Sequence, residues 1–183
     1  MVRPPYRYVE TSALAQLLGS DGALDIESAF YSGQLNAQIG EMVELVLEEE
    51  APVLHDVLVR RISMNGLQFS RTGSRIRKRL EGLIAKQAHV TNDLDGGKLV
   101  WANAAQAQEP VAFRPVAAGA AVTRSINEVP LVELVSLARE LIVQGLDGDA
   151  LLRAMGPHLG VSSVRGSSRK RLEQAMEAAW SAS

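Results

Sequence analysis

The stretch "RTGSRIRKRLEGLI", residues 71–84, places five cationic side chains in its first nine positions and an apolar tail behind them. Read at roughly 3.6 residues per turn, Ile76, Leu80, Leu83 and Ile84 fall on one stripe, the pattern of a helix packed on a core. Arg75, Lys78, Gly82 and Ala85 then share the opposite face, with Arg79 and Lys86 beside it and Arg77 on the other flank. Glu81 alone opposes the cations, whereas a solvated helix face commonly balances Lys with Glu four residues away. Small residues between basic ones let a helix come close to a phosphate backbone. Two readings fit: a helix that contacts nucleic acid, and a solvated or partner-facing helix over an ordinary core.

A second version of this stretch lies downstream. Residues 67–84 and 159–176 align without a gap at an offset of 92, with seven matches: Leu67/Leu159, Ser70/Ser162, Arg77/Arg169, Lys78/Lys170, Arg79/Arg171, Leu80/Leu172 and Glu81/Glu173. The same offset sets Ile39, Met42, Val43 and Leu45 on Leu131, Leu134, Val135 and Leu137, and Leu54 and Arg61 on Leu146 and Arg153. A register held this far upstream points to internal duplication. In the downstream copy Glu173 and Glu177 dilute the charge of the third helix, so that copy reads as a packing or interaction unit.

Each copy reads as three helices. In the first, Ile39, Met42, Val43, Val46 and Leu47 form one buried stripe. Pro52 suits the first turn of a second helix carrying Leu54, Val57, Leu58 and Ile62, which "NGL" at 65–67 ends. The third helix starts near Thr72 or Ser74, both acceptable caps. In the second copy, Leu131, Leu134, Val135, Ala138, Leu141 and Ile142 mark the first helix, and Leu172, Met176, Ala179 and Trp180 the buried side of the third. After the first copy, "HVTNDLDGGKLVWAN" holds two strand-like runs around Asp95-Gly96-Gly97, where glycine supplies the positive φ of a tight hairpin. Three helices and a β-hairpin describe a winged helix. The second copy has no such hairpin. The expected fold is therefore mainly α, with two tandem winged-helix-like three-helix units, the first bearing a β-hairpin wing. The expected divisions are a lead-in segment 1–37 with one short helix at Ser12–Leu18, unit 38–103, an Ala/Pro/Gly-rich connector 104–125 with a strand at "VAFRPV", and unit 126–183.

Composition narrows the chemistry. The 183 residues carry a net charge of −2, so no global field draws the chain to nucleic acid or an anionic membrane, and any such binding must be local. Without cysteine there is no disulfide, thiolate metal site or thiol nucleophile. No apolar run approaches the roughly 18 residues of a membrane span, and "MVRPPYRYVE" lacks the apolar segment of a signal peptide, so a cytoplasmic protein is expected. His55, His89 and His158 have no metal-ligand spacing. Glu48-Glu49-Glu50 reads as a solvated helix end, and "GSDG" at 19–22 and "DGG" at 95–97 as turns. The serines of "RTGS" and "RGSS" have no base in the pattern. Trp101 reads as core against the third helix. No catalytic constellation, cofactor or metal is expected.

Across "EEEAPVLHDVLVRRI…GSRIRKRLEGLI", "FRPV" and "RSINEVPLVELVSLA", residues 40–180 resemble an uncharacterised winged-helix-like domain. It occurs at the C-terminus of large bacterial superfamily I (Upf1-like) helicase proteins with Vsr-like or restriction-type endonuclease domains. The matching elements are Glu50-Ala51-Pro52, with alanine where the family has glycine, Gly73-Ser74-Arg75-Ile76-Arg77, Phe113-Arg114-Pro115, and Ile126-Asn127-Glu128-Val129-Pro130. The chain contains neither helicase nor nuclease. The resemblance implies a DNA-processing context and a helicase or nuclease chain or domain as partner.

Together these readings favour a non-catalytic module that binds DNA through helix 72–87. The contact residues would be Arg71, Arg75, Arg77, Lys78, Arg79 and Lys86, with Lys98 from the wing. The alternative is a module that docks a partner protein through its winged-helix surfaces.

Overall fold

The computed structural model describes residues 5–11, 25–116 and 124–181. It is mainly helical, with seven α-helices and one small three-stranded antiparallel sheet among these residues. The helix expected at Ser12–Leu18 lies outside the described residues. No described helix is long and apolar enough to cross a membrane. The chain divides into two compact units, Tyr8–Thr91 with Lys98–Gln108, and Met1–Arg7 with Asn92–Gly97 and Glu109–Ser183.

The first unit opens with α1, Ile26–Ser32. Asp25 caps it by accepting hydrogen bonds from the Glu27 amide at 3.1 Å and the Ser28 hydroxyl at 2.6 Å. Gly33, at a φ of 93°, ends it in the left-handed conformation that glycine adopts without cost. Helix α2, Asn36–Glu50, buries Ile39, Met42, Val43, Val46 and Leu47, the stripe its spacing predicts. Next come β1, Val53–Leu54, and α3, His55–Arg61, which runs on into a π turn at Ile62–Gly66. Gly66 packs closely there: a Cβ at this position would lie 2.6 Å from the Met42 sulfur, so the Met42 side chain would have to shift. Helix α4, Ser74–Ile84, follows. Strands β2, His89–Asn92, and β3, Lys98–Trp101, pair as the expected hairpin, and β1 adds to it in the order β1-β3-β2. In this register Val53 faces Val100 and Leu54 faces Leu99. Phe30, Ile39, Val43, Leu58, Ile62, Leu80, Ile84 and Val100 form the core. Burial of each such large side chain contributes about 1.5–3 kcal/mol.

Three local expectations are corrected in this unit. Pro52 does not open the second helix: Ala51–Pro52 is a cis peptide, Val53–Leu54 joins the sheet, and the helix starts at His55. Neither Thr72 nor Ser74 caps α4. Its N-cap is Gly73, with no side-chain cap bond, and the Thr72 hydroxyl is hydrogen-bonded to that of Ser63. Glu50 is not part of a solvated end. It is fully buried, takes a hydrogen bond from Arg61 Nη1 at 2.5 Å, and accepts the Val9 amide at 2.7 Å. A buried carboxylate persists when a cation and hydrogen-bond donors satisfy it, and Arg61 and Val9 supply both.

The second unit is a three-helix bundle. A 3-10 turn, Ile126–Glu128, begins it with a capping box between Ser125 and Glu128. Helices α5, Leu131–Val143, α6, Gly148–His158, and α7, Gly166–Ser181, follow. The core joins Phe113, Ile126, Leu134, Leu137, Leu151, Met155, Leu172, Ala175 and Ala179. The third helix buries Leu172 and Ala179 as expected, but Ala175 joins them and Trp180 does not. Leu172, Ala175 and Ala179 face inward, Met176 sits at the flank, and Trp180 is 51% exposed. Ala175 and Ala179, four residues apart, let α7 lie close to its neighbours, and Trp180, about 100° further round the helix, turns to solvent. The strand expected at "VAFRPV" reduces to one bridge, Val116 with Tyr6, while Phe113 is buried. Of the first-helix positions equated by the 92-residue offset, Ile39/Leu131, Met42/Leu134 and Val43/Val135 are buried in both, while Leu45 is 41% exposed and Leu137 only 1%.

One buried ionic cluster organises this unit. Glu133, on α5, is fully buried and held by Arg114 and by Arg124, the latter at 2.9 and 3.0 Å. Both guanidinium groups also lie over the Tyr6 ring, Arg124 at 4.0 Å from its centroid and Arg114 at 5.5 Å. Burial by itself would raise the Glu133 carboxyl, but the charges and hydrogen bonds of the two arginines outweigh it and hold the group below its ordinary value.

Candidate nucleic-acid interface

Helix α4 buries Leu80 and Ile84, and Ile76 and Leu83 pack partly against the same core. That phase fixes the directions of its cations. Arg75 and Lys78 point to solvent, Arg71 is exposed just before the helix, and Lys86 is exposed just after it. Lys98, at the start of β3, is exposed as well. A Cβ added at Gly73 or Gly82 would meet nothing within 4 Å, so this face is open to a close approach.

The other two candidates are engaged within the unit. Arg77 pairs with Asp56 of α3 at 2.5 Å, and this hydrogen bond is the main cause holding the Asp56 carboxyl below its ordinary value. Arg79 donates to Asn36 Oδ1 at 2.8 Å, and its guanidinium lies 5.2 Å from the Phe30 ring centroid. Sequence spacing puts Arg75 and Lys78 on one face, Arg79 beside it and Arg77 on the other flank, and offers all four as contact residues. The structure separates them into two outward groups and two that brace α4 against α1, α2 and α3.

Helix α1 contributes residues that sequence reasoning missed. The Arg75 guanidinium lies 4.8 Å from the Tyr31 ring centroid, and Tyr31 and Phe69 both meet Phe30 edge to face, at 5.1 and 5.3 Å. A cation resting on an aromatic face keeps one orientation at low entropic cost. Beside this stack is a cavity of about 440 Å³ whose walls include Glu27, Tyr31, Phe69, Arg71, Arg75 and Ile76. The adjacent aromatic pair Phe30-Tyr31 was the available signal, since one ring at that spacing must leave the buried stripe.

Helix α7 of the second unit, which carries the Arg169-Lys170-Arg171 triplet, is arranged otherwise. Arg169 pairs with Glu173 at 2.7 Å and Asp149 at 3.2 Å. Arg171 pairs with Asp95 at 2.7 Å and donates to the Val129 carbonyl at 2.8 Å. Arg169 and Lys170 are exposed, and Arg171 is half-buried. The histidines form no cluster: His55 is buried next to Asp56, and His158 meets Phe113 edge to face at 6.5 Å. No group of three or more potential metal ligands occurs among the described residues. Trp101 is buried and donates through Nε1 to the Thr91 hydroxyl at 2.8 Å.

Residues 28–78 match the model of a family described as "Protein of unknown function (DUF3320)". The match runs from α1 into α4, under a third of the chain, and so takes in Tyr31, Arg71, Arg75 and Lys78. No curated protein and no solved structure matches the chain.

Proposed function

We propose that the chain is a non-catalytic nucleic-acid-binding accessory module of a DNA-processing protein of helicase or nuclease type, acting in the cytoplasm. The observation that carries this reading is the set of outward cations around α4: Arg71, Arg75, Lys78 and Lys86, with Lys98 on β3. None of the five has a carboxylate partner among the described residues, unlike Arg77, Arg169 and Arg171. Unpaired cations on an open face release phosphate counterions when they bind, which is the main source of affinity for DNA.

The chain order α2-β1-α3-α4-β2-β3, with β1 beside β3, supports a winged-helix reading in which α4 is the helix that enters the groove. The 92-residue offset supports a second, wingless copy, because α4 and α7 begin at Ser74 and Gly166, and Gly66 and His158 end the preceding helical segments. The resemblance to the C-terminal domain of helicase–nuclease proteins supports the context. Val143, 88% exposed, and the exposed Trp180 favour a second role for the C-terminal unit, docking a partner protein such as a helicase or nuclease chain or domain.

Fluorescence anisotropy of a labelled duplex, titrated at several salt concentrations, tests the reading. Binding that weakens with a log–log slope of about −3 to −4, roughly 0.9 per phosphate, is expected. No binding at low salt would leave protein docking as the function.

A further inference from the structure

The cavity between α1 and the start of α4 has a mixed lining. Arg71 and Arg75 bring positive charge, Glu27 brings a carboxylate, and Tyr31, Phe69 and Ile76 supply aromatic and aliphatic wall. The Arg75 guanidinium lies over the Tyr31 ring, 4.8 Å from its centroid. A phosphate or phosphorylated peptide would be served by the arginines and repelled by Glu27. A ligand with an anion at one end and N–H or O–H donors at the other satisfies all three kinds of group. At about 440 Å³ the cavity lies near the lower end of ligand-sized pockets, which run from roughly 300 to 1,000 Å³.

We infer that this cavity takes one unpaired nucleotide of a nucleic-acid strand, a proposal that rests on the nucleic-acid reading above. The phosphate lies between Arg71 and Arg75. The base covers the wall of Tyr31, Phe69 and Ile76 and the Arg75 guanidinium, the kind of surface on which unstacked bases rest. Glu27 accepts a hydrogen bond from the base or sugar. A paired base inside a duplex cannot reach the cavity, so the site distinguishes a duplex with an extruded nucleotide from a perfect one.

The test compares the full chain's affinity for a blunt duplex with that for the same duplex carrying one extrahelical deoxyadenosine. The expected preference for the second is about fivefold or more, the effect of stacking one base. Tyr31→Leu and Arg71→Ala should each bring the ratio close to one, and Tyr31→Phe should restore it. Arg71 is exposed, so Arg71→Ala reads the ratio even if Tyr31→Leu does not fold. Equal affinity of the wild type for both duplexes overturns the cavity proposal and leaves the nucleic-acid reading standing. A ratio that survives both variants overturns it too. Failure to bind either duplex overturns both, and tighter binding of free deoxyadenosine monophosphate overturns the choice of a strand.

Discussion

Asp93 caps a helix that begins 38 residues after it: its carboxylate accepts the Leu131 amide at 2.6 Å and the Val132 amide at 3.1 Å. Pro130, the residue at the N-cap position of α5, has no side chain able to do this. Arg171 stands 3.9 Å from the same carboxylate. A turn residue of a hairpin thus satisfies the free amides of a distant helix. Asp93→Ala should cost about 1–3 kcal/mol, from the lost cap and the buried amides left without an acceptor. Urea unfolding followed by circular dichroism checks this, and a midpoint equal to the parent's would show that water replaces the carboxylate.

Glu133 should contribute to the acid sensitivity of the C-terminal unit. Its carboxyl is held below the ordinary value, so its contribution is fully present above the unfolded value, roughly 4.3 for glutamate, and is lost as pH falls through the folded one. Stability should therefore drop as pH is lowered through the unfolded value and below it. Glu133→Gln should flatten that limb. At neutral pH it should cost about 3–5 kcal/mol, because Arg114 and Arg124 would remain buried without their counter-charge. Urea midpoints against pH for both proteins provide the measurement.

Gly73 offers a variant in which stability and binding separate. Its φ of −72° suits any residue, and an added Cβ has open space. Gly73→Ser and Gly73→Asp should both raise stability by about 0.5 kcal/mol, by capping α4 and by restricting the unfolded chain. Asp also places a negative charge beside Arg71 and Arg75, so it alone should weaken DNA binding. Equal affinities for the two variants in anisotropy would place the binding surface elsewhere.

Charge reversal at Arg75 and Lys78 should abolish duplex binding while lowering stability by no more than about 1 kcal/mol, the worth of the exposed Arg75–Tyr31 contact. Lys170→Glu is the matched control in the second unit and should change affinity little. Arg171 is unsuited to that purpose, because its ion pair with Asp95 makes its loss a stability effect. Similar losses from the double variant and from Lys170→Glu would argue for binding by long-range charge alone.

What the sequence by itself determined is what depends on near neighbours along the chain. The 3.6-residue stripe of Ile39, Met42, Val43, Val46 and Leu47 placed α2 in the correct phase. The Ile76-Leu80-Leu83-Ile84 pattern did the same for α4, and the Asp-Gly-Gly turn located the hairpin. These signals are local because helix and hairpin geometry repeat over a few residues. Tertiary structure alone decided which charges are free. Glu50 meets Arg61, Arg77 meets Asp56, and Glu133 meets Arg114 and Arg124 across gaps of 11, 21, 19 and 9 residues. No period links such pairs. It also decided that Tyr31 supports Arg75 and that Trp180 faces outward while Ala179 is buried. Whether a charge binds a ligand or braces a helix depends on what the fold sets opposite it, and that neighbour lies too far along the chain for local pattern to reveal.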